Sequence, residues 1–150
     1  MSSTDTRGKK RELDNSYVLD DQIGYLLRQA TQRHLTIFGR HMVESITPTQ
    51  FSALIRLYQL GACSQNLLGR RSAMDVATIK GVIDRLTKRG FTQIKPDKDD
   101  ARLTVIHLTS KGRSLVDAAL ISAERITSET LKPLNSAEQK TLLKLIKKIC

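Results

Sequence analysis

From residue 18 to residue 42 the positions Ile23, Leu26, Leu27, Ala30, His34, Ile37, Phe38 and His41 recur every three to four residues. That spacing is one face of a long helix. Thr47-Pro48-Thr49-Gln50 follows with the chemistry of a helix start. The threonine can accept from free backbone N–H groups, proline suits the first helical position, and glutamine can reach back to the cap. A second helix is expected from here, burying Phe51, Leu54, Ile55 and Tyr58 and stopping at Gly61.

Ser64 can cap a short third helix that buries Leu67 and Leu68. Asp75 can cap a fourth, ending at Gly90. Its apolar positions Val76, Ile79, Val82, Ile83 and Leu86 keep helical spacing, and Thr78, Lys80, Gly81, Asp84, Arg85 and Lys88 take the opposite face. Two alternating, β-branched runs at 92–95 and 103–108 flank the polar stretch P-D-K-D-D-A-R and predict a hairpin. Thr109 can cap a fifth helix that Pro133 closes. Asn135 or Ser136 starts a last one, expected to bury Leu142, Leu145, Ile146 and Ile149.

This order describes a mainly α chain with a small β-hairpin: a short helix, a tight turn, an amphipathic helix and then a wing. In such a winged helix-turn-helix the second helix enters the major groove, and the hairpin tip reaches the backbone or the minor groove. Residues 47–109 are expected to form this lobe. Residues 13–46 and 110–150 supply dimerisation helices, and 1–12 form a flexible basic tail.

Charge agrees with that plan. The chain of 150 residues carries 25 Lys plus Arg against 15 Asp plus Glu, a formal charge of +10. Residues 70–113 hold 11 of the basic and five of the acidic residues, so most of the excess sits on the predicted lobe. An anionic partner is expected, and double-stranded DNA fits.

Other chemistries are poorly supplied. The longest apolar run, 118–121, has four residues, too few for a membrane span. Nothing at the amino terminus resembles a secretory signal. Cys63 and Cys150 make no disulfide framework, so a reduced, cytoplasmic protein is expected. His34 and His41 share a helix face but sit about 10 Å apart along the axis, too far to ligate one zinc. No nucleophile elbow, phosphate loop or dinucleotide turn occurs. Neither an enzyme nor a cofactor is expected. Cys63 precedes a helix start, which can activate a thiol, so a redox-responsive regulator stays open as an alternative.

The runs D-V-A-T-I-K-G-V-I-D-R-L-T-K-R-G-F and D-K-D-D-A-R-L-T-V-I-H-L-T-S-K-G resemble the recognition helix and wing of MarR-type transcription regulators. The likeness extends over roughly residues 19–149 and is most specific over 64–112. It implies a homodimer made by the first and last helices, bound to a pseudo-palindromic operator. Candidate DNA contacts are Ser64, Gln65, Arg71, Thr78, Lys80, Gly81, Arg85, Lys88, Lys98 and Arg102. The wing departs from the family pattern twice. Lys98 stands where proline is frequent, and Ala101-Arg102 where two arginines are frequent, so Arg102 is the one wing arginine the resemblance carries over, with Asp100 matching the aspartate that braces it.

Q-R-H-x-x-I-F and T-P-T-Q-F, followed by S-Q-N-L-L-G-R, further resemble the subset that controls breakdown of aromatic acids. That likeness implies an effector pocket lined by Arg33, His34, Phe38, His41, Met42 and Phe51. Cation plus ring suits a small aromatic carboxylate or its coenzyme A thioester. Two alternatives stand beside this reading. One makes His34 and His41 ordinary interior histidines hydrogen-bonded across the dimer. The other is a DNA-binding module with no small effector, acting architecturally or through another protein.

Overall fold

Five side chains set the helix starts. In the computed structural model, which describes residues 16–150, Thr47 Oγ1 accepts from Gln50 N at 3.3 Å and Gln50 Oε1 accepts from Thr47 N at 3.1 Å. This capping box opens a helix, Pro48–Leu60. Ser64 Oγ accepts from Leu67 N at 3.2 Å, Asp75 Oδ1 from Thr78 N at 2.7 Å and Thr109 Oγ1 from Gly112 N at 3.0 Å. Asn135, rather than Ser136, caps the last helix in a second box with Glu138. Each cap satisfies a backbone donor that the helix itself leaves free.

The helices are α1 (Ile23–His41), α2 (Pro48–Leu60), α3 (Gln65–Arg71), α4 (Val76–Lys88), α5 (Ser110–Leu131) and α6 (Ser136–Ile146). Between α4 and α5 lies an antiparallel hairpin, β1 (Thr92–Pro96) and β2 (Thr104–Leu108), with Ile94 opposite Ile106. The paired strands run to Pro96 and begin at Thr104, so Leu103 belongs to the exposed tip. Cys63 exchanges two backbone hydrogen bonds with Ile106, at 3.2 and 2.8 Å, and ties the α2–α3 connection to the base of the wing. The tail expected over 1–12 lies outside the described residues.

The core of the lobe is Leu54, Leu57, Leu68, Ile79, Ile83 and Leu86, closed by Val116 of α5. Several expected burials are corrected. Tyr58 is exposed and Leu57 takes its place, because α2 is rotated so that Ala53, Leu54 and Leu57 face inward. Val76 is 69% exposed: as the first residue of α4 it overhangs the packed turns behind it. Leu67 is only half-buried. In α6 none of Leu142, Leu145 and Ile146 is buried, and Ile149 falls beyond the helix end. The first turns of α1 are likewise bare within one chain, with Ile23, Leu26 and Leu27 exposed.

Gly112, in the first turn of α5, is required by packing. A Cβ there would lie 2.1 Å from the Phe91 carbonyl oxygen, far inside contact distance. This close approach seats α5 against the strand-entry turn and fixes how the wing leaves the lobe.

Candidate DNA-binding face and effector pocket

Thr78, Lys80, Arg85 and Lys88 are exposed on the outer half of α4, opposite Ile79, Val82, Ile83 and Leu86. Lys80 Nζ lies 2.8 Å from Asp84 Oδ2, one turn on, so this lysine is shared between its own helix and any ligand. Gly81 is half-buried, and what covers it is Arg85. Ser64 spends its hydroxyl capping α3, Gln65 is half-buried at the first turn of that helix, and Arg71 is exposed at its end. Val76 borders a cleft of about 410 Å³ with Asn66 and Arg70 of α3. Periodicity hid Val76, since it counts as apolar on the core side and only its place in the first turn exposes it.

At the wing tip Arg102 is braced as the sequence suggested. Its Nε and Nη2 donate to the two Asp100 carboxylate oxygens at 3.0 Å each, and its backbone N donates to Oδ1 at 3.1 Å. The Arg102 hydrogen bonds hold the Asp100 carboxyl below the ordinary aspartate value. The guanidinium is nevertheless 89% exposed, so the fork orients it without hiding it. Lys98 is exposed in the same tip.

The six pocket candidates separate into two groups. Phe38 and Met42 are buried and Phe51 half-buried, with His34, Phe38 and Phe51 in a row at centroid distances of 6.3 and 6.1 Å. The polar candidates turn instead to α5. Arg33 Nη1 donates to the Thr130 carbonyl at 2.7 Å and Nη2 to that of Glu129 at 3.0 Å. His34 Nδ1 lies 2.9 Å from Thr130 Oγ1. His41 Nε2 donates to Glu129 Oε2, whose other oxygen accepts from Arg40 at 2.7 Å. Each histidine therefore has a hydrogen-bond partner on α5 of its own chain.

Arg33 is in effect a cap for α5. The last turn of that helix carries no basic residue of its own, so its terminal carbonyls need a donor from elsewhere. That deficit is the one sequence signal for this contact. Glu129, the acceptor for both Arg40 and His41, left no local signal because its partners are 89 and 88 residues away. The His41 hydrogen bond, followed by the charges of His41, Arg40 and Lys132, lowers the Glu129 carboxyl below its ordinary value. Arg33 also borders an open cleft of about 560 Å³ with Arg125, Ser128, Glu129 and Lys132. Phe38, Met42 and Phe51 line none of it.

Cys63 is buried, and burial pushes its thiol up. A reactive thiolate needs the opposite shift, which weighs against the redox alternative. Among the described residues no cluster of His, Cys, Asp and Glu has the makings of a metal site, and no helix is long and apolar enough to cross a membrane.

A capped helix pair, a basic outer face on the second helix and an adjoining braced hairpin define a winged helix-turn-helix transcription regulator. The pattern of the MarR family matches residues 46–104. The chain is 36% identical over 149 residues to the HTH-type transcriptional repressor NicR of Pseudomonas putida, covering 98% of this chain and 94% of that one. It belongs to the MarR family of transcription regulators, which are not enzymes. A probable transcriptional regulator from Pseudomonas aeruginosa has the same fold at a TM-score of 0.86, with 47% identity over 89% of this chain and 100% of that one. Bordetella bronchiseptica BpsR, whose DNA binding is regulated by 6-hydroxynicotinic acid, superposes at 0.83, with 38% identity over 89% of this chain and 96% of that one.

Proposed function

We propose that the chain is a cytoplasmic homodimeric repressor that binds a pseudo-palindromic DNA operator and is released by a small aromatic carboxylate or its coenzyme A thioester. The observation that carries the DNA reading is the exposed set Thr78, Lys80, Arg85 and Lys88 on α4, followed directly by a wing that presents Arg102. Residues 47–109 act as the DNA lobe, with Ser64, Gln65, Arg71 and Lys98 on its flanks. Residues 13–46 and 110–150 form the dimer platform. Its support is the exposed apolar side chains of Ile23, Leu26 and Leu27 on α1 and of Leu142, Leu143 and Leu145 on α6, the kind of surface that marks a protein interface.

The effector class rests on the aromatic row His34, Phe38 and Phe51, together with Arg33, His41 and Met42, which α1 and its C-terminal cap carry on the same stretch of chain. BpsR, whose DNA binding responds to a hydroxylated pyridine carboxylate, supports a free heteroaromatic acid over a thioester. A carboxylate entering here meets Arg33 and His34 only by taking them from Thr130 and Glu129. Ligand binding then loosens α1 from α5 and changes the separation of the two recognition helices. Release follows to the extent that the acid prefers the altered arrangement, a coupling of about 1–3 kcal/mol.

Calorimetry with 6-hydroxynicotinic acid and related aromatic acids, with and without operator DNA, tests the effector. The expected result is binding that weakens operator affinity and is lost in His34→Ala. Binding by Arg33→Ala and His34→Ala equal to that of the wild type removes both from the pocket. Light scattering is expected to return twice the mass of one chain, and a monomer mass at micromolar concentration contradicts the dimer.

A further inference from the structure

Gly81 stands in the middle of α4, where glycine costs about 1 kcal/mol relative to alanine, and nothing in the fold asks for it. Position 81 is not among the positive-φ glycines, and no core side chain or backbone of another element lies within 4 Å of where a Cβ would be. The only close atom is Arg85 Nη1, at 3.4 Å. Long helical side chains lean toward the helix N-terminus, so the arginine one turn on folds back over the bare position. Among the described residues the Arg85 guanidinium has no hydrogen-bond or ion-pair partner. Asp84 beside it is held by Lys80 at 2.8 Å. Five N–H donors are thus unspent on the outer half of the recognition helix.

We propose that Gly81 is a positioning residue, a seat that keeps the Arg85 guanidinium laid back over the middle of α4 so that it meets a guanine edge in the major groove. This rests on the DNA-binding reading above. Extended outward, the same arginine would reach the phosphate backbone and carry no sequence information. Laid back, it is held near the helix surface that enters the groove, where a guanidinium pairs with guanine O6 and N7. A side chain of three or more heavy atoms at 81 must expel it.

The test uses the full chain and an operator duplex selected by the wild type from a random pool. Gly81→Met, Arg85→Ala and the double variant are titrated at one salt concentration, with melting temperatures to confirm folding. Methionine is the better helix former, so Gly81→Met is expected to melt no lower than the wild type. Its operator affinity is expected to fall about tenfold, while the double variant binds as Arg85→Ala does. Placing 7-deazaguanine at successive guanines is expected to weaken the wild type at one position per half-site and to leave Arg85→Ala unaffected there. Equal losses from Gly81→Met in both backgrounds overturn the proposal, since the glycine would then serve close approach of the helix itself. So does insensitivity to every 7-deazaguanine, which would place Arg85 on phosphate. A wild type that enriches no duplex from the pool overturns the DNA-binding reading itself.

Discussion

Arg89 Nη2 donates to the backbone carbonyl of Glu44 at 2.6 Å. The bond joins the end of α4 to the α1–α2 junction. Arg89 and Lys111 also both approach the Phe91 ring, at 4.9 and 4.8 Å from its centroid. The junction is strained: Glu44 and Ser45 have φ of 56° and 51°, a region that non-glycine residues enter at a cost.

Glu44→Gly therefore removes strain and keeps the Arg89 bond to the backbone carbonyl, losing only the long, solvent-exposed 3.7 Å ion pair of Arg89 with the Glu44 carboxylate, which contributes little. It is expected to stabilise the chain by about 1 kcal/mol. Arg89→Ala is expected to destabilise it by about 1 kcal/mol, since the lost bond is charged but partly solvated. Thermal melts of both variants check the pair. A lower melting temperature for Glu44→Gly sinks the strain argument.

Among the described glycines, Gly112→Ala should be the most damaging methyl addition. The new Cβ would sit 2.1 Å from the Phe91 carbonyl oxygen, so α5 must move off the strand-entry turn. Overpacking of this kind costs about 1–3 kcal/mol or more. Chemical denaturation measures it, and a midpoint within error of the wild type would show that α5 shifts freely.

Glu129 links α1 to α5 in a pH-dependent way. Its carboxyl is lowered, first by the His41 hydrogen bond, and faces Arg40, His41 and Lys132. A lowered folded-state value means the contribution is complete above the ordinary glutamate range. It is lost as pH falls through the folded value. Wild type is expected to lose stability on acidification more steeply than Glu129→Gln below about pH 4.5, the ordinary value from which the shift starts. Parallel pH–stability curves for the two proteins would exclude the link.

At the wing, removing the guanidinium and removing its brace should differ. Arg102→Ala is expected to lower the slope of log affinity against log salt by about one, the loss of one phosphate contact. Asp100→Asn keeps the cation and therefore the slope, although the fork of 3.0 Å bonds is weakened. An unchanged slope in Arg102→Ala would reduce the Arg102–Asp100 pair to loop architecture.

The sequence by itself determined the parts of this protein that depend on neighbours three or four residues apart. Thr47 with Gln50, Asp75 with Thr78 and Thr109 with Gly112 are local pairs, so the helix starts were legible. The order of helices, the hairpin and the basic outer face of α4 followed from the same short range. Tertiary structure decided which apolar positions were covered. Val76 and Tyr58 lie on plausible inner stripes, yet both are exposed, because a stripe becomes core only where another element lies against it. It also decided where the polar pocket candidates turn. Arg33 meets Thr130 across 97 positions and His41 meets Glu129 across 88. No local pattern encodes such pairs, since α1 and α5 find one another only when the chain has closed around the lobe between them.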